Sequence, residues 1–483
     1  MKLELLLHPW VSSKIPEIEI SDIENDSRKI KVGDLFFAYP GALADGRLYI
    51  EQAEALGAAA IVYDPINLPQ TFKVLSHIPC VPVEDLGKSM AAIASSFYGA
   101  PSKNLNIIGI TGTNGKTTIA YQLAQAYSLL EKPAAYVGTI GEGDVNSLQT
   151  LLNTTPDALC LQKLLAKYNR LGKNYVCMEV SSHALSQNRV DCVDFHEAIF
   201  TNLSHDHLDY HHTLEAYAEA KAKLFKKTTL KLAIINHDDQ FGKLMVDSLH
   251  SNCKKLTYGF NEGSDVRVIN MQTNMQGSLL ELTSPWGEIK LQINLLGKFN
   301  IYNSLAVFIS LMANGISLHD AINVMTKLKP APGRMEVVAE KPCVIVDYAH
   351  TPDALENVLV TLNKLKKGRV GVVFGCGGDR DKTKRPMMGR IASMHADFVI
   401  ITSDNPRGEE PNSIIQEIAA GITSGSAKII KMVDRKDAIE RALKMAKEDD
   451  IVLIAGKGHE SYQIIGKKTN HFSDQEVVVR FLD

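Results

Sequence analysis

A glycine-rich turn with a lysine and threonines carries the clearest chemical signal in this sequence. It follows the apolar run 105–110, which predicts a buried strand. Its residues are Thr111, Gly112, Thr113, Asn114, Gly115, Lys116, Thr117 and Thr118. Glycines let several backbone N–H groups point at one anion, and a following helix adds the positive end of its dipole. The turn therefore predicts a nucleotide-phosphate site.

Two side chains of this turn have specific expected roles. Lys116 would reach the β- and γ-phosphates, and the Thr117 hydroxyl could ligate Mg²⁺. The spacing G-x-x-G-K-T is shorter than the common phosphate-binding loop, so the turn indicates a nucleotide without fixing the reaction. The alternative is a tight strand-to-helix turn with an incidental lysine.

A second polar group follows two further apolar runs, 175–180 and 197–201. Glu179 lies at the end of the first run, and His207 lies in a histidine-rich stretch, 202–212, after the second. Ligands bind at the carboxyl ends of strands in open α/β sheets. Glu179 and His207 could therefore hold a divalent cation beside a triphosphate. The alternative is a carboxylate satisfied by hydrogen bonds and a helix-capping loop.

The histidine-rich stretch also suggests a different class of enzyme. Metallo-β-lactamase-type hydrolases use H-x-H-x-D-H, whereas this chain has H-x-H-x-D-x-H from His205 to His211. The mismatch and the unexplained phosphate turn disfavour that class. Lys221 lies in a predicted helix, 217–225, and the sequence alone predicts an ordinary solvated lysine there.

Composition limits the function classes. The chain has 483 residues, which suggests about three domains. Lys and Arg number 52 against 55 Asp and Glu, a net charge of −3, so nothing favours nucleic acid or an anionic membrane as a partner. Seven scattered cysteines without a C-x-x-C predict free thiols. The short N-terminal apolar run, broken by Glu4, is not typical of a secretory signal, and we expect a cytoplasmic protein without stable membrane insertion.

The pattern of apolar runs predicts an α/β protein of three units, 1–101, 102–330 and 331–483. In the first unit, strands are predicted at 33–38 and 58–63 and helices at 49–56 and 90–98. The second unit has predicted strands at 105–110, 175–180, 197–201 and 231–236, helices at 116–130 and 299–314, and antiparallel strands over 265–295 with turns at Gly277 and Gly287. The third unit alternates helices with strands at 344–347, 370–374, 398–402 and 451–455.

A set of motifs in order makes the chain similar to a known family. TGTNGKTT, MEVSSH, NLSHDHLDYH, GKFNIYNSLA, APGRME and VDYAHTPDAL, together with DSR, DGR, GDRDKTKRP, DNPRGEEP and AGKGHE, resemble the Mur ligase family. The resemblance implies three domains: a UDP-sugar-binding domain, a central P-loop ATPase-type domain with a mainly parallel sheet and a small antiparallel sheet, and a C-terminal Rossmann-like domain. Within the family, the motifs are similar to those of members that add the third residue of the peptidoglycan stem peptide.

The resemblance also implies a reaction. Family members phosphorylate a carboxylate with ATP, an amine attacks the acyl phosphate, and ADP and phosphate are released. The implied carboxylate substrate is UDP-N-acetylmuramoyl-L-alanyl-D-glutamate, and the implied cofactors are ATP and two Mg²⁺ ions. Thr117 and Glu179 are assigned to one metal site, and His207 and a carbamylated Lys221 to the other. We expect a monomer.

Other residues receive roles from the resemblance alone. Those assigned to the nucleotide are Asn300, Asn303, Arg334, Asp347 and His350. Those assigned to the UDP-muramoyl dipeptide are Ser27, Asp45, Gly46, Arg47, Thr154, Thr155, Ser182 and Arg189. Without the resemblance, Arg334 could be a surface charge of a linker, and Asp347 could cap the helix that follows.

The amino-acid acceptor is assigned to the third unit. Two acceptors are common in the family, meso-diaminopimelate and L-lysine, which differ by one distal carboxylate. A guanidinium suits that carboxylate, so Arg407 favours meso-diaminopimelate. The remaining residues of this implied site are Arg380, Asp404, Asn405, Pro406, Gly456 and Glu460. The alternative for Arg407 is an ordinary loop arginine.

Two rival functions stay open at the level of sequence. One is another amide ligase with the same core, such as folylpolyglutamate synthase or the D-Ala-D-Ala-adding relative. The other is a nucleotide-binding regulatory protein, which would leave Glu179, His207 and the Arg407 loop without a role.

Overall fold

The N-terminal part of the chain forms a small parallel sheet covered by helices. The computed structural model describes residues 1–41, 44–68, 76–422 and 427–482. Strands pair in the order β1-β2-β3-β4, all parallel. The elements are α1 (Leu3–Leu7), β1 (Ile23–Glu24), β2 (Leu35–Ala38), α2 (Ile50–Ala55), β3 (Ala60–Tyr63), β4 (Cys80–Pro82) and α3 (Leu86–Phe97).

The next part of the chain is built on the largest sheet. Its first elements are β5 (Asn106–Thr111), α4 (Lys116–Leu129), β6 (Ala134–Gly138), β7 (Gly141–Asp144), β8 (Ser147–Gln149), α5 (Ala158–Arg170), β9 (Tyr175–Glu179), α6 (Ser182–Ser186) and β10 (Phe195–Phe200). There follow α7 (Leu208–His211), α8 (Leu214–Phe225), β11 (Leu232–Asn236), α9 (Gly242–Asp247), β12 (Lys254–Gly259), β13 (Val266–Asn274), β14 (Gly277–Ser284), β15 (Gly287–Ile293), α10 (Lys298–Ala313) and α11 (Leu318–Met325).

The order of strands in this sheet explains where a ligand can bind. It runs β15-β14-β13-β12-β11-β10-β5-β9-β6-β7-β8. The neighbours β11, β10, β5 and β9 are parallel, so their carboxyl ends meet at one edge. β13, β14 and β15 form an antiparallel meander that joins the parallel part through a two-residue pairing with β12. Most residues of β5, β9, β10 and β11 are buried, as expected of strands covered on both faces.

The C-terminal part forms a third sheet in the order β16-β17-β21-β18-β19-β20, parallel except for the edge strand β16. A separate hairpin, β22 and β23, follows it. The elements are β16 (Glu336–Glu340), β17 (Cys343–Asp347), α12 (Pro352–Leu365), β18 (Val370–Phe374), α13 (Lys384–His395), β19 (Phe398–Ile401), α14 (Pro411–Ala419), β20 (Lys428–Lys431), α15 (Arg435–Met445), β21 (Ile451–Ala455), β22 (Tyr462–Ile465), β23 (Lys468–His471) and α16 (Asp474–Leu482).

The fold class predicted from the sequence is confirmed: mixed α/β layers with a mainly parallel central sheet, a small antiparallel meander and a mostly parallel C-terminal sheet. The predicted buried strands are found within one or two residues of their expected positions. Gly277 and Gly287 are the first residues of β14 and β15 rather than the turns themselves. All seven cysteines are free, as predicted. Within the described ranges, no helix combines the length and apolar character needed to cross a lipid bilayer.

A fully buried ion pair ties the last helix to the C-terminal sheet. The Nε and Nη2 atoms of Arg435 donate to the two carboxylate oxygens of Asp474, each at 2.8 Å, and neither side chain is exposed. The same guanidinium donates to the carbonyls of Ser403 (3.4 Å) and Ala455 (3.0 Å), just after β19 and at the end of β21. The pair therefore holds two strand ends and α16 together.

Asp474→Asn is expected to lower the stability of this unit by about 3–5 kcal/mol, because it leaves a buried guanidinium without its counter-charge. Thermal unfolding followed by calorimetry measures the effect. Glu448→Gln is the matched control, since the Glu448–Lys341 pair is exposed on the same unit and should leave unfolding unchanged. Equal melting temperatures for the Asp474 variant and the wild type would contradict this prediction.

Candidate active site

One cavity of about 620 Å³ lies where the carboxyl ends of the central parallel strands face the C-terminal sheet. The turn after β5 forms one wall, and residues after β9, β10 and β11 form the floor. Two residues just ahead of β16, Arg334 and Met335, and the residues at and after the end of β17 close the opposite side. The cavity thus gathers chain segments that are far apart in sequence at the edge where open α/β sheets bind ligands.

The phosphate turn has the close packing that its glycines predict. Gly115 ends the turn with φ +88°, and a Cβ there would lie 2.4 Å from Asn303 Oδ1. The Lys116 ammonium donates to the carbonyls of Gly112 and Thr113, each at 2.8 Å. α4 begins at Lys116, so its free N–H groups face the turn. An anion in this turn would therefore meet the helix N-terminus and the lysine together.

Glu179 sits at the end of β9 with its carboxylate held in place. Its Oε1 accepts from the Tyr136 hydroxyl (2.6 Å) and the Thr139 N–H (2.8 Å), and its Oε2 accepts from the Thr139 hydroxyl (3.2 Å). Both Glu179 and Thr117 line the cavity. The carboxylate is hydrogen-bonded, as the structural alternative supposed, and it also faces the cavity as a ligand would. A carboxylate and a hydroxyl oxygen fit the hard-oxygen preference of Mg²⁺.

Lys221 is buried, which corrects the sequence-based expectation of a solvated lysine. Only 1% of the residue is exposed, because α8 packs this face against the phosphate turn. Its Nζ donates to the Gly112 carbonyl at 2.8 Å and lies 4.4 Å from the centre of the Tyr217 ring. Burial, and then the nearby charge of Lys116, hold the pKa of the Lys221 ammonium well below its usual value.

The histidine-rich stretch forms a cluster of rings rather than a three-histidine metal cage. His207 lines the cavity, and its ring meets that of His183 edge-on at 4.9 Å. His211 shares a hydrogen bond of 2.9 Å with the Ser182 hydroxyl. Across the parts of the chain that the structure describes, no three His, Cys, Asp or Glu side chains are grouped to hold a metal. His205 is exposed.

Arg334 lies in the cavity rather than on a linker surface, so that alternative is wrong. Its guanidinium stacks 4.2 Å from the centre of the Tyr348 ring, and one nitrogen donates to the Thr117 hydroxyl at 3.1 Å. Its Nε has no protein partner although it is buried. A guanidinium held beside the phosphate turn with a free donor is suited to a phosphate oxygen.

The helix-cap alternative for Asp347 is also wrong. Thr351 caps α12, with its hydroxyl accepting from the Ala354 N–H at 3.3 Å. The Asp347 carboxylate instead accepts from the N–H groups of Met335 and Ala349, each at 2.7 Å, and faces the cavity. The other residues assigned to the nucleotide that line the same cavity are Thr113, Asn114, Thr118, Asn300, Asn303 and His350.

Residues assigned to the muramoyl dipeptide are spread from this cavity to the N-terminal sheet. Thr154 and Ser182 line the cavity. The Thr155 hydroxyl donates to the Glu179 carbonyl (2.9 Å), and Arg189 donates to the Thr155 carbonyl (3.1 Å). Hydrogen bonds thus link Arg189 through Thr155 to the main chain of Glu179, beside the cavity.

The N-terminal members of that group lie outside the cavity. The Ser27 hydroxyl donates to Gln52 at 2.8 Å. Arg47 is buried, and its guanidinium binds Asp45 and the carbonyls of three residues after β3, Asp64, Ile66 and Asn67. The structure thus gives the Arg47 side chain a part in holding its own loop, with Gly46 in the same short 3₁₀ turn.

A second cluster lies on the C-terminal sheet, outside the residues that line this cavity. The loop after β19 carries Asp404, Asn405, Pro406 and Arg407, and Arg380 and Gly456 lie beside it. A Cβ at Gly456, which has φ +112°, would lie 2.7 Å from Asp404 Oδ2. The Asn405 side chain donates to Glu460 at 2.9 Å. Carboxylates and guanidinium groups here could receive an amino acid with charges at both ends.

Sequence reasoning missed several residues that complete these sites. Tyr136 and Thr139 hold Glu179, but only the pairing of β6 with β9 brings them there. Asp353 receives a hydrogen bond of 3.1 Å from Asn114. Lys457 is fully buried and donates to Asn405 and Glu460, each at 3.1 Å. The motifs that contain Lys457 and Asp353, AGKGHE and VDYAHTPDAL, were visible in the sequence, whereas nothing local marked Tyr136 and Thr139.

Comparisons with known proteins agree with this geometry. Family models described as Mur ligase family catalytic domain, Mur ligase middle domain, and Mur ligase glutamate ligase domain match residues 19–98, 110–311 and 333–458. The chain is 46% identical to a UDP-N-acetylmuramoyl-L-alanyl-D-glutamate–2,6-diaminopimelate ligase of Chromobacterium violaceum, over 95% of this chain and 94% of that protein. It is 43% identical to the ligase of the same name from Neisseria meningitidis, over 98% of both.

Solved structures of Mur ligases are also similar to this chain. A structure of a UDP-N-acetylmuramoyl-L-alanyl-D-glutamate–2,6-diaminopimelate ligase superposes with a TM-score of 0.71 at 36% identity, over 100% of this chain and 99% of that one. The MurF ligase of Thermotoga maritima in complex with ADP shares the fold, with a TM-score of 0.66 at 17% identity over 91% of this chain and 95% of that one. The chain belongs to the Mur ligase family, whose members are ATP-dependent ligases of peptidoglycan precursor synthesis.

Proposed function

We propose that this chain joins meso-diaminopimelate to UDP-N-acetylmuramoyl-L-alanyl-D-glutamate, with ATP converted to ADP and phosphate. One observation carries the proposal: a single cavity places the phosphate turn, Glu179 and Lys221 opposite Arg334 and Asp347 of the C-terminal unit. The names of the relatives supply the two substrates. The regulatory alternative would leave this convergent set of charged groups without a function.

The proposed chemistry has two balanced steps. A carboxylate oxygen of the dipeptide attacks the γ-phosphorus of ATP, the bond from that phosphorus to the bridging oxygen breaks, and ADP leaves. The amine of diaminopimelate then attacks the acyl carbon of the acyl phosphate, loses a proton, and displaces phosphate. Phosphoryl transfer depends on placement and charge neutralisation, and Lys116 and Arg334 provide cations on the two sides of the phosphate turn.

Two cation sites are proposed beside the triphosphate. Thr117 and Glu179 would hold one Mg²⁺, and His207 with modified Lys221 the other. Bound Mg²⁺ would neutralise charge on the transferring phosphates. Tyr136 and Thr139 keep the Glu179 carboxylate oriented toward the cavity.

Lys221 is proposed to carry a carbamate formed with CO₂. An unmodified ammonium there would be buried close to the charge of Lys116, and its hydrogen bond goes to the Gly112 carbonyl; among the residues that the structure describes, no carboxylate forms an ion pair with it. In carbamate formation the neutral amine attacks the carbon of CO₂ and releases one proton, which converts the side chain into an anion. That anion would suit a cation site, whereas an ammonium would repel one.

We assign the three units to three ligands. Residues 1–101 would hold the UDP-sugar through Ser27 and the Asp45–Arg47 turn. Residues 102–330 would hold ATP and, with Thr154, Thr155, Ser182 and Arg189, the peptide. Residues 331–483 would hold the amino acid. We further propose that the chain works as a monomer in the cytoplasm.

The proposal is tested by phosphate release from ATP with purified UDP-muramoyl dipeptide and one acceptor at a time. We expect release with meso-diaminopimelate, much less with L-lysine, and none without the dipeptide. Release with D-alanyl-D-alanine and a muramoyl tripeptide, or with a folate and glutamate, would instead support one of the rival ligases. Turnover of ATP without either substrate would overturn the ligase assignment.

Arg407→Ala is expected to raise the KM for meso-diaminopimelate about 100-fold or more, because the distal carboxylate would lose its charged partner. The KM for ATP should not change, since Arg407 lies outside the nucleotide cavity. Arg390→Ala is a matched control, as Arg390 is an exposed arginine on α13 of the same unit. An unchanged KM for diaminopimelate in a folded Arg407 variant would show that the carboxylate binds elsewhere.

A further inference from the structure

The β-hairpin at residues 462–471 has no core of its own. β22 and β23 pair antiparallel, from Tyr462 opposite His471 to Ile465 opposite Lys468. Within this hairpin only Gln463 and Ile464 are partly buried, and the other residues are exposed. A two-stranded hairpin is at best marginally stable by itself. Burial of apolar surface therefore does not explain why the hairpin packs where it does, so its polar contacts must be considered.

Both partly buried residues contact the loop 404–407. Gln463 Nε2 donates to the Asp404 carbonyl at 2.8 Å, and the Ile464 N–H donates to Asn405 Oδ1 at 3.0 Å. Two further hydrogen bonds hold the main chain of Arg407. Its N–H donates to the Ile464 carbonyl at 3.1 Å, and its carbonyl accepts from the Gly466 N–H at 2.8 Å. The hairpin thus forms hydrogen bonds with Asp404, Asn405 and Arg407 of the loop.

Arg407 has a backbone that needs such support. Its φ of +52° lies in the left-handed region, which is unfavourable for a residue with a Cβ. Residues persist in that region where the surrounding structure holds them there. Here the two main-chain hydrogen bonds from the hairpin lie on either side of the strained φ. In this conformation Arg407 Nη1 donates to the Gly378 carbonyl at 2.9 Å, which holds the guanidinium beside Gly377 and Arg380, within the cluster on the C-terminal sheet described above.

We propose that the hairpin 462–471 is a positioning element that keeps Arg407 left-handed and so makes the enzyme select a diamino diacid over an amine that lacks the distal carboxylate. The inference rests on the proposed function. Without the hairpin, Arg407 would relax to an ordinary backbone conformation and its guanidinium would leave the cluster. The hairpin lies outside the residues that line the nucleotide cavity, so ATP binding should not depend on it.

Excision of the hairpin tests this directly in the full chain. Residues 462–471 are replaced by two glycines, a short closure because the Phe472 N–H already donates to the Ser461 carbonyl at 3.0 Å. We expect the KM for meso-diaminopimelate to rise about tenfold or more and the preference over L-lysine to fall by a similar factor, while the KM for ATP changes by less than about twofold. Unchanged KM and preference would overturn the inference.

Two point variants test whether the effect of excision comes from the contact with the loop or from a general disturbance of the C-terminal unit. Gln463 and Asn470 lie opposite each other in the hairpin, but only Gln463 contacts the loop. Gln463→Ala should raise the KM for diaminopimelate about fivefold, because it removes one hydrogen bond between the hairpin and the loop. Asn470→Ala should leave this KM unchanged. Equal effects of the two substitutions would indicate a role in hairpin stability alone and overturn the inference.

Amide hydrogen exchange separates this inference from the proposed function. The Arg407 amide should be protected in the substrate-free wild type and exchange faster after excision. Unchanged protection after excision would overturn the positioning role whichever acceptor the enzyme uses. If the wild type and the excision variant show the expected exchange but the enzyme does not use diaminopimelate, the proposed function would be overturned. The conclusion that the hairpin positions Arg407 would remain.

Discussion

Lys116→Ala is expected to lower kcat/KM for ATP by about 10²–10³-fold, the scale on which a single preorganised charge contributes to a transition state. The Lys116 ammonium donates to two carbonyls of its own turn. Those hydrogen bonds keep the positive charge of Lys116 beside the proposed phosphate-binding turn. When a triphosphate binds, its oxygens would replace the two carbonyls as acceptors of the Lys116 ammonium. These oxygens carry much more negative charge than the carbonyls, and we expect the attraction to be strongest while the phosphoryl group is being transferred.

Phosphate release with both substrates present measures this effect. Lys103→Ala provides the control, because Lys103 is an exposed lysine just ahead of β5 and outside the cavity. Circular dichroism and melting temperature establish that the Lys116 variant is folded. Activity within about threefold of wild type in a folded variant would remove Lys116 from the phosphoryl-transfer step.

Lys221→Ala is expected to lower kcat by about 100-fold or more, and added formate or acetate should restore part of it. The physical reason is that the substitution removes a proposed anion from a buried site and leaves a gap that a small carboxylate can occupy. Loss of only a buried ammonium would not be relieved by anions. Rescue therefore separates the carbamate from a purely structural role.

Lys223→Ala is the matched control, since Lys223 lies on the same helix, α8, and is exposed. It should have wild-type activity and no response to formate. Carbon-13 NMR with labelled bicarbonate gives a second readout, with a carbamate signal in the wild type that is missing from Lys221→Ala. Full activity of Lys221→Ala without rescue would exclude the carbamate from the mechanism.

The sequence predicted the features that depend on neighbours along the chain. The phosphate turn is local, because a strand, glycines and a helix start follow each other within residues 105–118. Buried parallel strands were equally visible, since strands covered on both faces are continuous apolar runs. Edge and hairpin strands were missed, among them β16, β22 and β23, because short half-exposed strands lack a strong apolar pattern.

Long-range packing decided the rest of the site. Lys221 looks like any helical lysine in sequence, and only the docking of α8 on the phosphate turn buries it. Arg334 follows a Pro-Gly linker motif, and only the approach of the C-terminal sheet places it against Thr117. Asp347 precedes a helix, yet the cap is Thr351, because the carboxylate is already bound to two N–H groups in the cavity wall.

The sequence by itself therefore determined the α/β class, the phosphate turn and the order of the motifs, since periodicity and turn chemistry act over a few residues. Only the tertiary structure decided which charged side chains are buried, which of them meet across the cavity, and what holds Arg407 in its conformation. The physical reason is that burial and electrostatic environment are set by groups distant along the chain, and a side chain's chemistry changes with both.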